Sequence, residues 1–223
     1  MQRQFSGAEF FYIVAAVRWT IVLSLVAFVG GGLLGFLTAI LRTAPYRSLR
    51  TLTAGYIQLF QGTPVLMQLF VFYYGLSVVL DVQVDAWPAV ALAFTLYSGA
   101  FLGEIWRGSI QAIATTQWEA AASLSLGYFK QLRFVILPQA MRISIPPTVG
   151  FLVQLIKATS IAAIVGFVEL TRAGQLMVNV TFQPMIVYPL VAVLYFLLCW
   201  PLSIFSRYLE ERIDASIGLR RHL

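Results

Sequence analysis

The chain carries one lysine inside an otherwise apolar stretch. Lys157 lies within residues 143–168, and Thr159 and Ser160 follow it closely. A charged side chain at membrane depth is costly and usually faces a cavity or a partner group. We therefore expect Lys157, Thr159 and Ser160 to lie at or near a path for a polar solute. The alternative is that Lys157 pairs with a helix C-terminus or a lipid phosphate.

A second feature is the interruption of the apolar run 51–80, where Gln61, Gly62, Thr63 and Pro64 follow one another. Proline donates no backbone hydrogen bond and clashes with the preceding turn, so a helix must kink or unwind there. Broken backbone at membrane depth is tolerated where it is buried or lines a wet cavity. The pattern predicts a gate or a solute-lining segment, and the alternative is a packing kink.

A possible ion pair lies at the end of the next apolar run. Glu104 and Arg107 are three residues apart, so they face each other if this segment is helical. We expect Glu104 near the cytoplasmic mouth of the path. The alternative is a structural pair at the membrane interface.

Several kinds of chemistry are excluded by the residues that the chain contains. Ser98 has no His or Asp within a span to activate it, so a serine hydrolase is disfavoured. The only histidine is His222, the only cysteine is Cys199, and the only lysines are Lys130 and Lys157. The chain has no Gly-x-x-x-x-Gly-Lys-Ser/Thr loop to hold a nucleotide phosphate. We expect no catalytic residue, no metal site and no cofactor bound by this chain.

The elements that must position these residues are apolar helices. The 223 residues are 60% hydrophobic and 11% charged, whereas a soluble domain carries about 25% charge. A span needs about 20 apolar residues. The sequence therefore predicts an all-α membrane protein with a single domain, residues 1–223, and five transmembrane helices. These spans are residues 19–41, 51–80, 86–103, 143–168 and 184–206.

The distribution of basic residues predicts the orientation of the spans, because cytoplasmic loops are enriched in Lys and Arg. A periplasmic N-terminus and a cytoplasmic C-terminus place three basic residues outside. Those three are Arg3, Arg18 and Arg172. The inside segments then contain Arg42, Arg47, Arg50, Arg107, Lys130, Arg133, Arg142, Arg207, Arg212, Arg220 and Arg221. The basic excess therefore reflects topology, and no nucleic-acid partner is expected.

The cytoplasmic loop between spans three and four, residues 109–142, contains two predicted helices. Thr116 and Glu119 fit a capping box that starts the first one. Gly127 is expected to adopt the left-handed conformation that ends it, and Pro138 is expected to end the second. Large aromatic residues lie along both helices, and their exposure predicts a protein partner. They are Trp118, Tyr128, Phe129 and Phe134. The alternative is a helix pair lying on the inner leaflet, held by membrane lipid.

This loop resembles the cytoplasmic "EAA" loop of permease subunits of bacterial binding-protein-dependent ABC importers. The matching residues are Glu119, Ala120, Ala121, Gly127, Leu137 and Pro138. The segments "GTPVLMQLF", "GEIWRGSI" and "KATSIAAIVGFVEL", which start at Gly62, Gly103 and Lys157, resemble the polar amino-acid branch of these permeases (histidine, glutamine and glutamate). Four such motifs in order are a specific match.

The resemblance implies a type I ABC importer permease in the bacterial inner membrane. The loop then forms coupling helices that dock on a dimer of ATP-binding cassette ATPase subunits, which hold ATP and Mg. A second permease subunit, identical or paralogous, and a periplasmic solute-binding protein complete the assembly. The resulting expectation is ATP-driven import of a polar amino acid.

The sequence departs from the family pattern at three positions. Ser125 replaces the usual Gly after the motif Glu, Gln61 replaces the usual Arg before Gly-Thr-Pro, and Ala158 replaces the usual Asp after the span-four Lys. Lys157 therefore keeps its positive charge without a neighbouring acid. Because a fixed positive charge attracts a carboxylate, the sequence favours a neutral or acidic amino acid as substrate over a cationic one.

A carrier driven by an ion gradient is the alternative function. Such carriers often contain internal repeats and several intramembrane carboxylates. The sequence has no clear repeat, and Glu104 is expected to be the only acid close to a span interior. A membrane-embedded enzyme is a weaker third possibility.

Overall fold

The computed structural model describes residues 5–217, and every regular element in this range is a helix. A π-helical turn, Val71–Gly75, joins α3 to α4, and another, Leu132–Ile136, joins α7 to α8. A 3-10 segment, Thr159–Val165, follows α8. The α-helices are α1 (Gly7–Thr43), α2 (Arg47–Gly62), α3 (Val65–Phe70), α4 (Leu76–Leu80), α5 (Ala86–Gln111), α6 (Thr115–Ser123), α7 (Tyr128–Gln131), α8 (Leu137–Ala158), α9 (Leu170–Thr181) and α10 (Pro184–Ile217).

Four helical stretches among the described residues are long and apolar enough to cross a membrane. They are Gly7–Thr43, Ala86–Gln111, Tyr128–Val165 and Pro184–Ile213. The segment predicted as span two is instead a helix pair, Arg47–Gly62 and Val65–Val79, bent by 103°. Residues 5–217 thus contain four candidate spans, and a fifth if the bent pair counts as one span. The break that the sequence predicts at Pro64 is confirmed.

Helices α1 and α5 form the closest helix pair of the fold, and glycines make the approach possible. A Cβ added to Gly35 would lie 2.9 Å from the backbone N of Gly103, and one added to Gly99 would lie 2.9 Å from Leu34 Cβ. Real side chains avoid such distances, so only Gly fits at these crossings. The small-residue face of the first span therefore packs within the subunit.

The main core lies where α1, α3, α5 and α8 meet. Leu23, Leu69, Phe94 and Leu155 are fully buried there, and Phe151 stacks on Phe101 with ring centroids 5.6 Å apart. The outer surface is apolar as well. The most exposed large apolar side chains are Phe11, Leu33, Leu52, Val78, Val79, Leu124 and Met185.

Two local predictions for the cytoplasmic loop are wrong. Helix α6 begins at Thr115, its N-cap is Ala114, and no side chain caps it, so Thr116 and Glu119 form no capping box. Gly127 is extended (φ −67°, ψ 157°), and Ser125 is the left-handed residue of the turn (φ 55°). The turn therefore stays at the position where the family pattern has Gly, and Gly127 precedes α7.

The prediction that Pro138 ends the second loop helix is also wrong. Helical structure continues from Tyr128 to Ala158. Pro138 lies in the first turn of α8, directly after the π-helical turn, which already interrupts the regular α-helical hydrogen-bond pattern. The predicted loop, residues 109–142, thus contains the end of α5, then α6 and α7, and the start of α8.

Candidate functional site

The segment formed by α6, the turn at Ser125 and α7, residues 115–131, is attached firmly to the rest of the molecule; we call it the coupling segment. Ala121 is only 2% exposed. The rings of Trp118 and Tyr128 stack at 6.1 Å, which joins α6 to α7. The Tyr128 hydroxyl donates a hydrogen bond of 2.6 Å to the carbonyl oxygen of Thr43, at the end of α1.

An apolar cluster lies behind the coupling segment. Its buried members come from α1, from α5 and the residues after it, and from the helix that follows α7. They are Ala39, Ile110, Ile113, Leu132, Ile136 and Ala140. Trp118, Tyr128 and Leu137 pack against this cluster. The coupling segment is therefore packed against the ends of the long helices.

The opposite face of the coupling segment presents apolar side chains to the surroundings. Leu124 is 75% exposed and Phe129 is 69% exposed. Phe134, in the π-helical turn that follows α7, is exposed as well. Glu119 is exposed too, and no hydrogen bond or ion pair of its carboxylate is found among residues 5–217. Several large exposed apolar side chains within one short segment are typical of a protein-binding surface.

The six predicted coupling residues divide between the two faces. Glu119, Ala120, Gly127 and Pro138 are exposed, whereas Ala121 is buried and Leu137 is half-buried. The helical period explains the division between Ala120 and Ala121, because adjacent residues point about 100° apart. Only the first group is available to a partner.

The break between α2 and α3 satisfies its own backbone. Prolines such as Pro64 leave carbonyl groups of the preceding turn without donors. Here the buried Gln68 side chain donates from Nε2 to the carbonyl oxygens of Phe60 (2.8 Å) and Thr63 (3.0 Å). The Thr63 hydroxyl donates to the carbonyl oxygen of Leu59 at 2.7 Å. Sequence analysis does not reveal this capping role, because it depends on the bend.

The four residues at the break lie on the surface of the subunit. Gln61, Gly62, Thr63 and Pro64 are all exposed. Such a backbone is not stable against lipid alone. This surface is therefore suited to a water-filled cavity or to a partner.

Glu104 and Arg107 form the predicted ion pair. Arg107 Nε donates to Glu104 Oε2 at 2.8 Å, and a second guanidinium nitrogen contacts the other carboxylate oxygen. Arg107 also contacts Gln111 one turn further on. The pair joins residues on consecutive turns of α5.

Lys157 and Ser160 lie on the accessible side of their helix, and Thr159 does not. Lys157 is exposed in the last turn of α8, and within residues 5–217 it forms no ion pair. The Ser160 hydroxyl donates to the Lys157 carbonyl oxygen at 2.7 Å. Thr159 is fully buried and donates to the Ile156 carbonyl oxygen. Helix α8 gives way directly to the 3-10 segment Thr159–Val165 after Lys157.

A buried acid that the sequence analysis missed lies between α8 and α9. Glu169 is fully buried, and its carboxylate accepts hydrogen bonds from the backbone N–H groups of Thr171 and Arg172, both at 2.9 Å. The Tyr195 hydroxyl of α10 donates to it at 2.6 Å. Burial raises the pKa of the Glu169 carboxyl above its ordinary value, and these hydrogen bonds oppose the rise.

Glu169 lies between the candidate spans Tyr128–Val165 and Pro184–Ile213, and the sequence analysis did not identify it. Glu169 caps α9, a short helix that the sequence analysis did not predict. The available signal was a carboxylate directly before the amphipathic segment Leu170–Thr181. Glu is not among the preferred N-cap residues, and this obscured the signal.

A known protein family and several known relatives match most of this chain. Residues 31–215 match the model of the family described as "binding-protein-dependent transport system inner membrane component". In Bacillus subtilis, the probable amino-acid ABC transporter permease protein YckA is 33% identical, covering 92% of this chain and 90% of the relative. The L-cystine transport system permease protein TcyB of the same organism is 36% identical, covering 91% and 86%.

A solved structure has the same fold. The crystal structure of an amino acid ABC transporter with histidines matches with a TM-score of 0.84 at 29% identity, covering 90% of this chain and 94% of that chain. The resemblance that the four sequence motifs indicated is confirmed. The chain belongs to the family of binding-protein-dependent transport system inner membrane components.

Proposed function

We propose that this chain is the transmembrane subunit of an ATP-driven importer, which passes a polar amino acid from a periplasmic binding protein into the cytoplasm. It has no catalytic role of its own. Family membership and relatives named as amino-acid permeases support the proposal. The chain lies in the inner membrane with its N-terminus in the periplasm, as the bias of basic residues predicts.

The coupling segment is the observation that carries the proposal. Its rear is fixed to the long helices, and its front presents Leu124, Phe129 and the free Glu119 carboxylate. A separate ATPase subunit, which holds ATP and Mg, docks on this front. Burying one such apolar side chain contributes about 1.5–3 kcal/mol. Closure of the ATPase pair on ATP then moves both coupling segments and shifts the permease from inward-facing to outward-facing.

A second permease subunit, identical or paralogous, covers the exposed break between α2 and α3. Two such subunits enclose a path lined by Gln61–Pro64, Lys157 and Ser160, with Glu104 near its cytoplasmic mouth. Thr159 positions the segment from inside the core. The exposure of the break and of Lys157 in the single subunit supports this arrangement.

The substrate is a neutral or acidic amino acid. Lys157 provides an accessible positive charge that attracts a carboxylate, and Ala158 removes the acid that the family pattern has beside it. A relative named as an L-cystine permease supports a substrate without net positive charge.

Uptake of a labelled amino-acid panel tests the proposal. Cells express the permease with its ATPase and binding protein, as wild type, as Glu119→Lys and as the control Glu210→Lys, which reverses an exposed charge on α10. We expect uptake to stop on ATP depletion and in Glu119→Lys, to survive an ionophore, and to persist in Glu210→Lys. Uptake that follows the ion gradient and ignores Glu119→Lys would establish the carrier instead.

A further inference from the structure

A basic cavity lies where the first apolar span ends and α2 begins. Arg42, Arg47 and Arg50 line it, together with Gln58 of α2 and Gln111 of α5, and its volume is about 540 Å³. All of these side chains offer hydrogen-bond donors, and three of them are cationic. None of them belongs to the coupling segment, and Gln111 contacts Arg107 beside the proposed cytoplasmic mouth.

The positive charge of this cavity is not balanced within the part of the chain that the structure describes. Residues 42–62 contain no acid, and no ion pair of Arg42, Arg47 or Arg50 is found among residues 5–217. Arg42 Nε is buried there without a hydrogen-bond partner. Glu104 is within electrostatic range of Arg42, but Arg107 already holds it. Because an unsatisfied buried donor costs free energy, the cavity favours an anion.

The N-terminus of α2 adds to this charge. Its first turn contains no acidic residue, and no side chain caps it. The free N–H groups at a helix start carry partial positive charge and attract anions. Arg47 in that turn is therefore placed unfavourably unless an anion lies nearby.

An apolar cavity adjoins the basic one, and this identifies the kind of anion. Thr51 and Gly55 line both cavities. The second, of about 510 Å³, continues along α2 past Leu52 and Leu59, which are 74% and 60% exposed. A free phosphate ion has no apolar part that could occupy the adjoining apolar cavity. A phospholipid has a phosphate and an acyl chain in this same order.

We propose that these two cavities bind one anionic phospholipid of the inner leaflet. The guanidinium groups of Arg42, Arg47 and Arg50 hold the phosphate, and the apolar cavity along α2 holds an acyl chain. Basic pockets at the cytoplasmic ends of spans recognise headgroups in this way. The leaflet follows from the orientation given under the proposed function, whereas the binding site itself does not depend on transport.

Native mass spectrometry of the complete transporter, permease with its ATPase, tests the assignment by titration with dioleoylphosphatidylglycerol. We expect each wild-type permease chain to retain one such lipid, and dioleoylphosphatidylcholine to bind more weakly. The double variant R47Q/R50Q should weaken binding of the anionic lipid by about tenfold or more, at roughly 1 kcal/mol for each lost charge. The matched control R207Q/R212Q removes two exposed cytoplasmic charges from α10 and should leave binding unchanged.

A second variant tests the apolar half without changing charge. A Cβ on Gly55 meets nothing within 4 Å, so Gly55→Leu fills the junction of the two cavities without straining α2. It should reduce lipid retention, whereas Gly108→Leu, equally unobstructed on α5, should not.

Three outcomes would overturn the assignment. They are equal retention by wild type and R47Q/R50Q, equal loss in the R207Q/R212Q control, and displacement of the lipid by inorganic phosphate, which would identify a free-anion site. A transporter that imports normally yet retains no lipid would overturn this inference alone. A transporter that retains the lipid but ignores ATP would overturn only the proposed function.

Discussion

The coupling segment and the break between α2 and α3 are both irregular, yet they are built in opposite ways. The rear of the coupling segment packs on an apolar cluster that includes Ile110 and Ile136, and its front is exposed and apolar. At the break, the buried Gln68 side chain donates hydrogen bonds to backbone carbonyl groups, and the exposed residues are polar or small.

This contrast separates two tasks. A segment held by apolar packing moves as a unit with the helices that it contacts, which suits the transmission of force. A bend whose carbonyl groups accept hydrogen bonds from a nearby side chain does not need another chain to supply donors. Such a bend is suited to line a water-filled cavity. The predictions below test each side of this contrast, from the largest expected effect to the smallest.

Truncating the exposed apolar residues should have the largest effect. The double variant Leu124→Ala and Phe129→Ala removes side chains that contact little of the described subunit, so the fold should persist. The affinity of the purified permease for its ATPase should fall by about a hundredfold, at roughly 1.5 kcal/mol for each side chain. Binding measured in detergent checks this. Met185→Ala, which removes the most exposed large apolar side chain found on α10, serves as the control.

Removing the side-chain cap of the break should destabilise the permease without weakening its contact with the ATPase. Gln68→Leu leaves the carbonyl groups of Phe60 and Thr63 without this donor, at a cost of about 1–3 kcal/mol. A lower midpoint of thermal unfolding should report the loss. Gln58→Leu, which replaces an exposed glutamine one turn before the break, should change the midpoint little. If both variants unfold alike, the capping role of Gln68 is wrong.

Loosening the rear of the coupling segment should have a smaller effect. Tyr128→Phe keeps the stack on Trp118 and removes only the hydrogen bond to the Thr43 carbonyl oxygen. Such a bond is worth about 1 kcal/mol. We expect normal ATPase binding and a lower ratio of amino acid imported to ATP hydrolysed. An unchanged ratio would mean that the apolar cluster alone transmits the motion.

The smallest effects should come from the turn within the coupling segment. Ser125 adopts a left-handed conformation, which costs a residue with a Cβ about 1–2 kcal/mol, so Ser125→Gly should stabilise the permease slightly. Gly127 is extended with open space around it, so Gly127→Ala should be tolerated. Thermal unfolding distinguishes the two, and a large loss in Gly127→Ala would restore Gly127 as the left-handed residue.

Those features that depend on local pattern could be predicted from the sequence. The apolar runs located the long helices, and Pro64 located the bend. Three other features escaped because each goes against the usual preference of its residue type. Ser125 adopts a left-handed conformation, Pro138 lies within continuous helical structure after a π-helical turn, and Glu169 caps α9 although Glu is not a preferred N-cap residue.

The candidate site was predictable to a similar degree. The motif residues identified the coupling segment, but sequence spacing could not show that Ala121 faces inward while Glu119 remains accessible. Leu124, which lies outside the motif, is among the most exposed apolar residues described. Likewise, Lys157 and Ser160 share an accessible face, while Thr159 between them is buried, because the chain tightens into a 3-10 helix at Thr159.

Site-specific photo-crosslinking tests the central claim most directly. A benzoylphenylalanine is placed at position 129, on the exposed front of the coupling segment, or at position 185, on α10, in the assembled transporter. We predict a crosslink from position 129 to the ATPase subunit, stronger with ATP bound, and none from position 185. Failure of position 129 to crosslink in a transporter that still hydrolyses ATP and imports its substrate would contradict the account.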